Sequence, residues 1–166
     1  MKKLMTLAAV VAAQAAVVGV AVAPQLSARA LGETYELRVA PLDPIDPFRG
    51  AYVTLDYPDL QQDDGSGFDR GIGTMEDGEE SGDVFITLVS EGDVWVADEW
   101  LRERPSGDQP FLACNDRSWQ VECGIDSFFL PQDEAAAMED VLRDGAIAEV
   151  RIDGRGNAAL IDVRAP

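Results

Sequence analysis

Between Leu4 and Ala23 the chain carries no charge, and Gln14 is the one strongly polar residue in a stretch dominated by Ala, Val and Leu. Backbone polar groups in so apolar a segment are satisfied locally only as a helix, and twenty helical residues rise about 30 Å, the thickness of a bilayer's hydrocarbon core. Lys2 and Lys3 precede the stretch, so the positive-inside rule keeps them in the cytoplasm and exports the remainder of the chain. Two fates are open. Ala28-Arg29-Ala30 is an A-x-A-like cleavage site, whereas Ala21-Val22-Ala23 is followed by Pro24, which hinders cutting. Against cleavage, the apolar run exceeds an ordinary signal-peptide core, although alanine is a weak membrane former. We take residues 1–30 as an N-terminal signal anchor and residues 31–166 as one exported domain, long enough to bury a real core.

Beyond Ala30 there are 10 arginines, no lysine or histidine, and 31 acids, a net charge of −21. Such a surface repels nucleic acid and anionic lipid and suits cations or a salty medium, where screening relieves self-repulsion. The missing histidines exclude Ser-His-Asp and Cys-His catalysis and His-containing metal sites. The missing lysines exclude Ser-Lys dyads, Schiff bases and a lysine phosphate cradle in the exported part. We expect no cofactor, no metal and no assigned catalytic residue. An enzyme here would have to work with carboxylates alone.

Residues 34–39 have strand character and end at Pro41-Leu42-Asp43-Pro44-Ile45-Asp46-Pro47, which cannot be helical because each proline fixes φ and lacks an N–H. The following segment alternates: Val53, Leu55 and Tyr57 share one face, and Tyr52, Thr54 and Asp56 the other. Residues 58–82 are rich in Asp, Glu and Gly and read as a disordered acidic loop. Strands over 83–89 and 94–97 meet across Glu91-Gly92-Asp93, a hairpin by its turn chemistry. Residues 111–114 and 119–123 frame a second hairpin, and a strand follows over 125–130. Pro131-Gln132-Asp133 starts a short helix stopped by Gly145, and a terminal hairpin alternates through Ala148, Val150, Ile152 and then Ala159, Ile161, Val163. The fold class is mainly β (α+β): an antiparallel sandwich or barrel of about eight strands with one short helix, preceded by the N-terminal transmembrane or signal helix.

Cys114 and Cys123 lie nine apart on the arms of the second hairpin, and an even pair so placed in an exported domain reads as a disulfide, with free buried thiols the alternative. Asp43, Asp46, Asp56 and Asp126 are the candidate carboxylates, with turn formation the simpler role for the first two. Asp63-Asp64-Gly65-Ser66-Gly67-Phe68-Asp69 hints at a Ca²⁺ loop but lacks the full spacing and its terminal Glu. Trp95, Trp100, Trp119, Phe128 and Phe129 fit core packing better than a ligand pocket.

Phe48-Arg49-Gly50-Ala51-Tyr52-Val53-Thr54-Leu55-Asp56-Tyr57, behind its Pro-x-Asp-Pro turn, resembles the GDYXXLXY protein family of bacteria. The likeness continues at Gly124-Ile125-Asp126-Ser127-Phe128-Phe129-Leu130-Pro131 and covers most of the exported chain. It departs at Ala51, where the family carries aspartate. The resemblance implies a single N-terminal membrane span, a domain in the periplasm or outside, and a multi-spanning membrane protein as companion; no activity comes with it. Arg49, Gly50, Tyr52, Leu55 and Tyr57 are the motif residues expected at a partner surface, with Tyr57 the more structural of the tyrosines. The expected function is therefore an accessory or interaction module at the cytoplasmic membrane. The alternatives are an envelope carboxylate-dependent hydrolase and a cation-binding module over residues 63–80.

Overall fold

The computed structural model describes residues 2–41, 52–61, 81–118, 121–129, 138, 141–142 and 145–166. Helix α1 (Lys2–Leu31) passes through the single residue Gly32 into β1 (Glu33–Pro41). Next come β2 (Tyr52–Asp56), a 3₁₀ turn (Pro58–Leu60), β3 (Asp83–Glu91), β4 (Val94–Leu101), β5 (Phe111–Asn115), β6 (Ser127–Phe129), β7 (Ala146–Ile152) and β8 (Ala158–Arg164). Two sheets form, in the orders β6-β2-β1-β7-β8 and β4-β3-β5, and every pairing is antiparallel. The result is an open two-sheet architecture, not a closed barrel.

Alternation decides which faces meet. Leu37 and Val39 of β1, Ala148 and Val150 of β7, Val84, Ile86 and Leu88 of β3 and Leu112 of β5 join one buried cluster between the sheets. Area removed from water on these facing rows supplies the main cohesive free energy. Met138, Val141 and Leu142 are helical and Leu142 is buried. The Gly145 N–H donates to the Leu142 carbonyl at 3.0 Å, with Gly145 at φ +84°, which closes that helix as its sequence predicts. The rest of that expected helix, the acidic loop over 62–80 with its Ca²⁺-like run, and Asp43, Asp46, Arg49, Gly50, Ala51 and Trp119 lie outside the described residues.

Three local expectations are corrected. β4 does not stop at Ala97 but continues to Leu101 through a bulge between the pairs Ile86↔Trp100 and Leu88↔Ala97. The buried Thr87 hydroxyl accepts the Glu99 N–H at 3.0 Å and donates to the Glu99 carbonyl at 3.3 Å, so the backbone groups released by the bulge stay satisfied. Among the described residues the cysteine hairpin keeps one bridge, Asn115↔Glu122, beside the Cys114–Cys123 disulfide. In β8 a register shift skips Ile161, so Leu160 and Val163 enter the core and Ile161 does not.

Helix α1 has two parts. Its apolar side chains are exposed through Val22, whereas Ala28 is fully buried. Ser27 Oγ donates to Asp153 Oδ2 at 2.5 Å, Gln25 Nε2 to the Gly124 carbonyl at 2.9 Å and an Arg29 guanidinium N–H to the Leu160 carbonyl at 3.0 Å. Asp153 organises the β7–β8 turn by accepting the Arg155 and Asn157 backbone N–H groups and the Asn157 side chain. Burial alone would raise its pKa, but the hydrogen bonds from Ser27, Asn157 and Arg155 outweigh burial and hold it below the ordinary aspartate value. A depressed carboxyl adds stability that is in place above its unfolded pKa and is lost as pH falls through the folded one. Asp153→Asn is therefore expected to cost about 1–2 kcal/mol at neutral pH and to flatten the acid limb of the stability curve, as measured by thermal unfolding of the full chain from pH 7 down to 3.

Candidate functional site

The two ends of the motif meet in one place. β2 pairs with β6 through Tyr52↔Phe129, Val53↔Phe128 and Thr54↔Ser127, so the segment over 52–57 lies directly against the segment over 124–129. Beyond the last of these pairs the Leu55 N–H donates to the Asp126 carbonyl at 3.0 Å, and the Tyr57 hydroxyl donates to the Ile125 carbonyl at 2.9 Å across a buried contact. Leu55, Tyr57 and Ile125 all belong to the core cluster. On its other flank β2 pairs with β1 at Ala40↔Asp56 and Pro41↔Leu55, which puts the Pro-rich run and Arg49-Gly50-Ala51 in the β1–β2 connection.

The spacing explains the inward pair. In a strand, residues two apart share a face, so Leu55 and Tyr57 point inward together. Thr54 and Asp56 are partly exposed on the other face, and the Asp56 carboxylate accepts Gln61 Nε2 at 3.0 Å. Tyr57 leaves strand geometry just before the 3₁₀ turn, which lets the phenol reach across to the next segment. Burial, and secondly the negative charge of Asp126, push the Tyr57 pKa well above that of a free phenol. The hydroxyl therefore stays protonated and acts as a donor.

Behind this contact, Cys123 is bonded to Cys114 of β5, fastening the second sheet to the segment that carries Ile125. Gly124, at φ +75°, turns the chain from the bridge into that segment. Its N–H donates to Asp126 Oδ2 at 3.2 Å while its carbonyl receives Gln25 from α1. Burial raises the Asp126 pKa and the neighbouring Glu122 charge adds to the rise, opposed by the backbone N–H groups of Asp126, Gly124 and Cys123.

Leu55 and Tyr57 are thus placed inside the domain, and Cys114 and Cys123 are brought together. Arg49 and Gly50 lie outside the described residues, and Tyr52 is placed by its backbone pairing alone. Trp95, Trp100 and Phe128 pack partly buried against the core, with Trp95 edge-on to Tyr35 at 5.0 Å between ring centroids. Among the described residues no group of three acids or cysteines is gathered that could hold a metal. What sequence reasoning missed is the polar set Gln25, Ser27, Arg29, Arg151 and Asp153. The signal lay in the three polar residues that come after Pro24 at the end of the apolar run.

One apolar N-terminal helix leading through the single residue Gly32 into an antiparallel two-sheet domain, whose second and sixth strands are locked by a buried tyrosine, defines the class of protein. The family model described as GDYXXLXY protein matches residues 14–163, and the chain belongs to that family. No curated protein and no solved structure matches it.

Tyr57→Phe should cost about 1–2 kcal/mol, because it leaves the buried Ile125 carbonyl without its donor; urea unfolding of the full chain in detergent measures this. Asp126→Asn should act in the opposite direction. A carboxyl raised in the folded state is penalised once ionised, so the cost is absent below the unfolded pKa and complete above the folded one. The Asn variant should gain stability at pH 7 and match the parent in acid, and a uniform loss at both pH values would contradict this assignment.

Proposed function

We propose that this chain is a single-pass protein of the cytoplasmic membrane that holds its β domain on the outer side and serves as the accessory subunit of a multi-spanning membrane protein. Anchoring is supported by the exposed, uncharged stretch of α1 behind Lys2 and Lys3, and the Cys114–Cys123 pair suits an oxidising compartment on the far side. An accessory role agrees with a motif whose Leu55 and Tyr57 serve the domain's own cohesion.

The observation that carries the partner is Gln14. It stands at the centre of the stretch from Leu4 to Ala23, is exposed, and its side-chain amide makes no hydrogen bond to any described residue of its own chain. A primary amide in hydrocarbon costs several kcal/mol unless another polar group meets it. The alanines around it and Gly19 allow a second helix to approach closely, as contacts between membrane helices require. A multi-spanning protein supplies such a helix with polar groups already facing its interior.

Purification of the full chain from crosslinked membranes, with mass spectrometry of the co-purified proteins, tests the reading. The expected result is a stoichiometric multi-spanning protein whose recovery falls roughly 5- to 30-fold with Gln14→Leu, about 1–2 kcal/mol, while the variant stays in the membrane fraction. Recovery of nothing but further copies of the chain, or no response to Gln14→Leu, would contradict it.

A further inference from the structure

The junction between α1 and the sheet has no slack. Leu31 ends the helix and Glu33 begins β1, already paired with Ile152 of β7. Gly32 between them is buried and donates its N–H to the Ala28 carbonyl at 2.9 Å. A Cβ at position 32 would stand 2.5 Å from that carbonyl oxygen and 2.9 Å from the Ile152 backbone, so only glycine fits there. Arg151 crosses from β7 to the helix end, where its guanidinium donates to the Gly32 carbonyl at 2.6 and 3.0 Å and also to the Arg29 carbonyl. These carbonyls have no partner within the helix, so Arg151 caps α1 from the sheet. With Gln25, Ser27, Ala28 and Arg29 also docked on the domain, the last two turns of α1 belong to it.

Length then sets the depth. The uncharged stretch ending at Ala23 spans about 30 Å, and Gln25 lies only about 3 Å further along the axis. A bilayer's headgroup layer occupies roughly another 5–7 Å on each side of the hydrocarbon. Gly124, which Gln25 touches, and the β7–β8 turn at Asp153, which Ser27 touches, therefore fall at headgroup depth. The local charge permits this. Exposed Arg155 lies in that turn and exposed Arg104 donates to the Gly154 carbonyl at 2.7 Å, with Arg29 and Arg151 beside the helix. These four arginines stand with Asp153, Glu33, Glu122 and Asp126, whose carboxylate accepts the Gly124 N–H, so among these residues the positive charges equal the negative ones.

We propose that residues 25–32 are a rigid coupling that holds the Gly124 and β7–β8 end of the domain against phospholipid headgroups, so that the sheet stands at a fixed orientation to the membrane. This rests on the anchoring proposed above. The full chain, reconstituted in nanodiscs of phosphatidylethanolamine and phosphatidylglycerol with a small fraction of nickel-chelating lipid, is spin-labelled in separate preparations at Gly154→Cys and at Ala165→Cys. A Cβ at Gly154 meets no atom within 4 Å, and Ala165 is exposed at the other end of β8, roughly 23 Å away for seven strand residues. The expected result is a several-fold greater relaxation enhancement by headgroup nickel at position 154 than at 165. That difference should shrink with Gly32→Ala, and with the milder pair Gln25→Ala and Ser27→Ala, while the chain remains in the disc. Equal enhancement at both positions in a disc-bound, full-mass chain would overturn the rigid coupling and leave anchoring intact. A chain that does not enter the discs would overturn both.

Discussion

The hydroxyl of Tyr57, donated into the core to the carbonyl of Ile125, is the contact on which the arrangement of this domain turns. It joins segments 68 positions apart in the chain, at the place where the short strand β6 must find β2. Three residue pairs make a weak ladder by themselves, and strands this short rely on packing and on specific cross-links. Tyr57 provides both, an apolar ring within the core cluster and a directed bond at its tip. Leu55 beside it and the disulfide to β5 behind it secure the same segment from two further sides.

From this centre the connections run outward to helix α1. Gly124, next to Ile125, receives Gln25 of the helix, and the β7–β8 turn receives Ser27. A change at the helix end is therefore two hydrogen-bonded steps from Tyr57. This is a physical reason for the motif to be inward-facing: the Tyr57 hydroxyl and the Leu55 N–H, bonded to the Ile125 and Asp126 carbonyls, hold the short β2–β6 pair in register. The surface ion pairs contribute less. Arg38 with Asp59, Arg102 with Asp116 and Arg164 with Glu36 involve half-exposed groups whose attraction is screened, all the more in a salty medium.

Much of the fold was legible because its signals are local. The alternation in β1, β2 and β7, the Gly92-Asp93 turn and the Gly145 stop each follow from the spacing of a few residues. Legibility failed where a long-range contact overrides the local pattern. Asp98 and Glu99 look like the end of a strand, yet β4 passes through them because Thr87 of the neighbouring strand satisfies the bulge. Ile161 looks like a core position, and the register shift turns it out. For the site, the spacing of Leu55 and Tyr57 gave their common face, but nothing local showed that Ile125 would be their partner. The docking of Ser27 on Asp153 joins positions 126 apart and is invisible without the structure.

If the two motif segments form one cooperative unit with the sheet, their amides must share its opening free energy. Hydrogen exchange of the full chain under native conditions reads this most directly, by comparing the Leu55 amide, which donates to Asp126, with the ladder amides of β1 and β7. Leu55 is expected to open at the same free energy as the central ladder, through global unfolding alone. Exchange of Leu55 by a separate low-energy opening, with β1 and β7 still protected, would show that the motif is a peripheral flap and would contradict its central place in the fold.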